Sequence, residues 1–185
     1  DYLMYLMQEN VQATKTQWSG RGGVGPIRPI ATVTADVRGL SNYDYWVPWE
    51  NSLFSIGAYK YLSLVQDSEF EQMVISVTRS VIEYGYIWHP IQNNYLVITC
   101  VRWNSDGSRV PIVDIDSQVR TDSTGEFRTN SNFTVWTMPA LQVYLNLTDH
   151  IGEEDEFRTK AQDIIRFFFP SGPDKFRTAE WLCLR

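Results

Sequence analysis

Six side chains near the middle of this chain constrain it more than any other feature. Phe70, Met73, Val74, Val77, Val81 and Tyr84 lie at spacings of 0, 3, 4, 7, 11 and 14, which is one face of a helix. The spacing predicts an amphipathic helix over Ser68–Tyr84, with Ser68 and Glu71 as a capping-box pair and Gly85 as a left-handed residue at its end. Such a helix must bury its stripe against another apolar surface, while Arg79 lies off the stripe. A second stripe, Phe157, Ala161, Ile164, Ile165 and Phe168, predicts a helix over 153–169. Glu153, Glu154, Asp155 and Glu156 complement the dipole at its N-terminus, and Pro170 stops it. Leu3, Leu6, Met7 and Val11 predict a shorter helix over 2–11.

The remaining periodicity reads as strand. Ala31, Val33, Ala35 and Val37 alternate with polar residues, so 31–37 is an expected strand. Segments 95–103 and 109–115 flank Asn104-Ser105-Asp106-Gly107, a strong hairpin turn. Strands are also expected over 133–138 and 176–184. Over 141–147, Leu141, Val143, Leu145 and Leu147 alternate with Gln142, Tyr144 and Asn146, which predicts one buried face and one polar face. Segment 53–65 fits either period. The fold class that follows is α+β, an antiparallel β-sheet with two or three amphipathic helices, the Ser68–Tyr84 stripe resting on strands 95–103 and 141–147. A β-sandwich or jelly-roll with helical insertions is the alternative.

The length of 185 residues suits a single domain, 1–185, in which 17–29 is a Gly/Pro/Arg-rich arm or loop. Hydrophobic residues at 43% and charged residues at 21% exclude a disordered tail. No apolar run approaches the roughly 20 residues of a membrane span. The first ten residues lack the pattern of a secretory signal, and the start at Asp1 suggests a processed product or an excised domain. A net charge of −6 argues against nucleic acid as the main partner. Arg outnumbers Lys twelve to four, and there are seven Trp and ten Tyr, the residue types that dominate protein interfaces. Cys100 reads as a small buried hydrophobe in a reducing compartment, and its pairing with Cys183 stays open. Asn132-Phe133-Thr134 and Asn146-Leu147-Thr148 match the glycosylation sequon, which matters only in a secreted chain.

Four constellations could carry chemistry. Gly20-Arg21-Gly22-Gly23-Val24-Gly25 has dinucleotide-motif spacing, but Pro26 and Pro29 follow where a helix should open, so a flexible arm is the better reading. Asp114 and Asp116 share one strand face and, with Asp106, Asp122 and Glu126, could cage a hard cation; a solvated face explains them as well. His150 beside Asp149 forms a general-base pair in outline, His89 is the other imidazole, and Cys100 is the available nucleophile. Trp46, Trp49, Trp88, Trp103, Trp136 and Trp181 offer rings for stacking. Within the aromatic loop 41–51, Tyr43, Tyr45, Trp46 and Trp49 are the expected binding residues, joined by Arg21 and Arg28 of the arm.

In general character the chain resembles virus capsid and virion proteins: strand-rich, high in Asn, Thr and aromatics, poor in His and Lys, with a Gly/Arg arm near its start. That resemblance implies a non-catalytic structural or assembly subunit, without cofactor or metal, soluble in a virion or the host cytoplasm. Its partners are then copies of itself or other structural subunits. The alternatives are a ligand-binding module using the aromatic loop, and a small hydrolase or metal-dependent enzyme using Asp114 and Asp116 or His150 with Asp149.

Overall fold

The computed structural model describes residues 2–19, 45–90, 94–98, 100–103, 109–112, 119–121, 127–129, 131–151 and 155–169. Most of these are helical: α1 (Tyr2–Ser19), α2 (Pro48–Leu62), α3 (Ser68–Tyr84), α4 (Ser131–Leu147) and α5 (Glu156–Phe168), with a 3-10 turn at Asp149–Ile151. The strands are two to four residues long and pair only as local antiparallel ribbons. β1 (Tyr45–Trp46), β4 (Cys100–Trp103) and β5 (Arg109–Ile112) form one, with β4 in the middle. β2 (Tyr86–His89) pairs with β3 (Asn94–Val97), and β6 (Val119–Thr121) with β7 (Phe127–Thr129). Among the described residues no sheet spans the molecule. The expected α+β architecture, its sandwich or jelly-roll alternative and the beta-rich character are all overturned, because helix packs on helix. The 100–103 and 109–112 hairpin does form, with Trp103 opposite Arg109, and 95–97 belongs to the other ribbon.

The α3 stripe is buried as its spacing demands: Phe70 is 1% exposed, and Met73, Val74, Val77 and Val81 are 0%. Its floor is helical. Phe70, Met73, Val74 and Val77 meet Ala58 and Tyr61 of α2 and Val143 of α4. Val81 and Ile82 join Leu141 and Tyr144 of α4, Ile164 and Ile165 of α5, and Tyr86 of β2. Two details of the expected caps change. Asp67, not Ser68, is the N-cap, its Oδ1 accepting from the Phe70 N–H at 3.0 Å. Gly85 is right-handed at φ −77°. It is needed for space, because a Cβ there would strike the Val81 carbonyl oxygen and lie 3.3 Å from Pro48 Cβ.

The two largest corrections share one cause. Segments 133–138 and 141–147, read as strands, belong to α4, which is wedged between both apolar clusters. Leu141 and Tyr144 face one cluster while Val143 faces the other, and Leu145 and Leu147 are half-buried at their edges. A helix apolar on two sides loses its 3.6-residue signature and can show a period of two. α2 hid for the opposite reason. Its buried face is Asn51, Ser52, Ser55, Ala58 and Tyr61, small and polar, so hydropathy carries almost no stripe there. These side chains are satisfied locally: the Asn51 amide donates to the Val47 carbonyl at 3.0 Å, and the Ser55 hydroxyl to the Ser52 carbonyl at 2.6 Å.

Ser52 does something different. Pro139 sits inside α4, where it removes a backbone donor and crowds the preceding turn. Beside it, the Ala140 N–H donates to Ser52 Oγ at 2.9 Å, and that hydroxyl donates to the Thr137 carbonyl at 3.0 Å. The Tyr86 hydroxyl donates to Thr137 Oγ1 at 2.6 Å, closing the node from β2. A side chain of α2 thus enters the α4 ladder where proline interrupts it. Every group in this node is buried, Ser52 and Thr137 at 0% exposed.

The α4–α5 joint is also polar. Arg158 reaches back from α5, its Nη1 donating to the Leu145 carbonyl at 2.7 Å and to Thr148 Oγ1 at 2.8 Å, so a cation covers the C-terminal end of α4. Asp155 caps α5 through the Phe157 N–H at 2.9 Å and accepts from the Tyr144 hydroxyl. α1 runs on past the expected 2–11 to Ser19, taking in Gln17, Trp18 and Ser19 of the expected arm, and Trp18 packs on the α2–α3 cluster. Lys15 fastens it, donating to Asp67 at 2.8 Å and Glu69 at 3.0 Å.

Four substitutions test this packing. Val77→Asp places an unpaired charge in the core and should cost about 4 kcal/mol by urea midpoint. Arg79→Ala should cost about 0.5–1 kcal/mol, since exposed Arg79 still lays its guanidinium 3.9 Å over the Phe157 ring. Ser52→Ala removes both side-chain bonds to the buried α4 backbone and should cost about 1–3 kcal/mol by the same measurement. The Lys15 pairing gives a pH signature. Burial opposes the charge on Asp67, but the hydrogen bonds from Lys15 and the Phe70 N–H outweigh it and hold the carboxyl below its ordinary 3.8. Burial likewise opposes the charge on Lys15, and the bonds to Asp67 and Glu69 outweigh it and hold the ammonium above 10.5. A lowered acid and a raised base both stabilise the fold in the window between those values. The stability lost in Lys15→Gln should therefore stay constant from about pH 5 to 9 and shrink as pH falls further and Asp67 protonates.

Candidate functional site

A partly exposed cluster of aromatic rings lies where the β2–β3 ribbon meets the end of α5. Gly85 turns the chain directly from α3 into β2, and the Ile98 N–H donates to the Gly85 carbonyl at 2.9 Å, tying the base of the ribbon to that turn. Tyr86 and Trp88 share one strand face. Tyr86 points into the core at 1% exposed, with its ring centroid 6.3 Å from that of Phe168, and burial pushes its hydroxyl far above the ordinary tyrosine range. Trp88, one pleat further out, is 42% exposed.

Trp88 is held firmly for an exposed side chain. Tyr95 lies directly opposite it across the ribbon, with centroids 5.0 Å apart at 71°. Phe167 of α5, itself 37% exposed, meets Trp88 at 5.9 Å and 87° and Tyr95 at 5.4 Å and 78°. Phe168 backs Phe167 edge-on at 5.0 Å. Each contact places the positive edge of one ring against the face of another, the favourable geometry for aromatic pairs. The charges nearby are of both signs. Asp163 lies close enough to Tyr95 to raise its hydroxyl further, after burial has raised it most, and Asp163 meets Arg166 at 3.5 Å. Lys160 donates to the Glu83 carbonyl at 3.0 Å, and burial lowers its ammonium despite Glu83.

The residues expected to form a site fare differently. Tyr43, Arg21 and Arg28 lie outside the described residues, as do segment 31–37, Asp106, Asp114, Asp116, Asp122, Glu126, Trp181 and Cys183. Tyr45 and Trp46 form β1, paired with Arg102 and Val101, so part of the supposed loop is strand. Trp49 lies half-buried in the first turn of α2. His89 ends β2 and Cys100 begins β4, opposite Ile112. His150 is exposed, and the Asp149 carboxylate beside it meets Arg158 Nη2 at 3.5 Å. Among the described residues no group of three or more His, Cys, Asp or Glu side chains could hold a metal ion, and no helix is long and apolar enough to cross a membrane. The first sequon lies on α4 and the second straddles its end, where the Thr148 hydroxyl is buried, donating to the Tyr144 carbonyl at 2.7 Å.

Trp88 stood among the six tryptophans flagged for stacking, but Tyr95, Phe167 and Phe168 did not. The signal that finds them is Phe167-Phe168-Phe169 at a helix end: three consecutive large apolar residues span too wide an arc for all to face the core. A second opening, about 620 Å³, lies between the end of α2, the start of α3 and the end of α4, with Asp67, Glu71 and His150 on its walls. Asp67 is already occupied there by Lys15 and the Phe70 N–H. Comparison with protein-family models, with curated proteins and with solved structures finds no match to this chain.

Proposed function

We propose that the chain is a non-catalytic assembly subunit that pairs with a second copy of itself through the Trp88–Tyr95–Phe167 ridge. The observation that carries the reading is an exposed tryptophan immobilised by two edge-to-face neighbours. A ring already fixed in place loses little freedom when a partner covers it, and buried aromatic anchors dominate the energetics of interfaces. The rim supports a like partner. Asp163 and Arg166 set opposite charges side by side, which is what a two-fold contact needs, since the same patch must complement itself. The strand-rich character behind the likeness to virion proteins is gone, so the proposal is of a self-associating subunit alone.

Solution mass measured across a concentration series tests it. The full chain should move from monomer toward dimer mass with rising concentration, and Trp88→Ala should weaken that association by about tenfold or more. The control Trp136→Ala removes another exposed tryptophan, 50% exposed on α4, and should leave the association unchanged. A chain that stays monomeric throughout, or equal losses in both variants, rejects the reading.

A further inference from the structure

We propose that α1 is a releasable strap: it opens as one unit while α2 to α5 stay folded, and its departure uncovers an apolar groove on α2 and α3. The packing of α1 is the first ground. None of its described side chains is fully buried, and Tyr5 and Leu6 are 55% and 38% exposed even when it is docked. An open cleft of about 370 Å³ remains along it, with Met7 and Val11 on one side and Phe54, Ala58, Tyr61 and Phe70 on the other. Side chains bordering such a gap lack partner atoms, so docking gains less dispersion energy than a filled interface would give.

Two polar side chains of α1 that face the groove are satisfied within the helix. Asn10 donates to the Leu6 carbonyl at 2.8 Å and Thr14 to the Asn10 carbonyl at 2.7 Å, bonds that stay within the helix whether it is docked or free. The floor is equally independent of α1. Phe70 is held edge-on by Phe54 at 6.2 Å and by Tyr61 at 5.5 Å, and Asp67 keeps its capping bond to the Phe70 N–H without Lys15. The groove therefore keeps its shape when the strap leaves. What fastens α1 to charge on the body is Lys15, on Asp67 and Glu69. Segments that open below the global unfolding threshold have this profile of few buried contacts and exposed backbone.

Native-state hydrogen exchange on the full chain, read residue by residue, tests the strap separately from the aromatic ridge. In the wild-type chain α1 amides should exchange at least about tenfold faster than those of α3, with a much shallower urea dependence, because opening α1 exposes little surface. Lys15→Glu should speed exchange in α1 about fivefold or more while α3 stays within about twofold. Should Lys15→Glu fail to fold, the wild-type urea dependence decides alone. A single shared opening for α1 and α3, with equal urea slopes, overturns the proposal, as does unchanged α1 exchange in a folded Lys15→Glu.

Discussion

A proline inside an α-helix removes one backbone donor and loosens the ladder around it, and here a neighbouring helix binds the backbone on either side of the proline. Ser52 of α2 accepts from the Ala140 N–H and donates to the Thr137 carbonyl, so the central helix α4 can pass through the core with Pro139 inside it. The consequences are geometric. A serine can reach into the ladder of another helix only if the two backbones approach closely, and Ser52, Ser55 and Ala58 make the facing surface of α2 small enough for that. Once α2 and α4 are so joined, α3 lies against both of them. Its stripe has one seat, divided between the α2 side and the α5 side.

Polar contacts of the same kind close the other joints. Arg158 meets the carbonyl end of α4, and Asp155 both starts α5 and accepts from Tyr144, so one turn of chain fixes the angle between two helices. That angle decides where the end of α5 emerges. Phe167 reaches Trp88 and Tyr95 because the end of α5 meets the β2–β3 ribbon, whose base is pinned at Gly85. The aromatic ridge is thus set by buried polar contacts in the interior, although its own side chains are at the surface.

α1 stands apart from this scheme. Its charged anchor to the body is the Lys15 pairing, beside the apolar contact of Met7, Val11 and Trp18 and a partly empty groove. Buried polar contacts interlock α2 with α4 and α4 with α5, while α1 is held by half-buried apolar side chains and the Lys15 ion pair.

Sequence alone determined the elements whose burial is one-sided. The α5 stripe faces one cluster and the α3 stripe runs along one helix face from one cluster into the other, so a period of 3.6 survived in their apolar residues, and segments 100–103 and 109–112 pair as their alternation predicts. Tertiary structure decided the rest. α4 is buried on two sides, so its apolar residues follow no single face, and Ser52 binds its backbone beside Pro139 only once the two helices have packed. α2 buries serine and asparagine whose partners are backbone carbonyls, a pattern that hydropathy does not register. Trp88, Tyr95 and Phe167 come from three segments up to 79 positions apart and meet only because the α4–α5 joint and the Gly85 turn bring them together. Local periodicity records how one segment meets its surroundings; it holds no information about which distant backbone group a buried hydroxyl will complete.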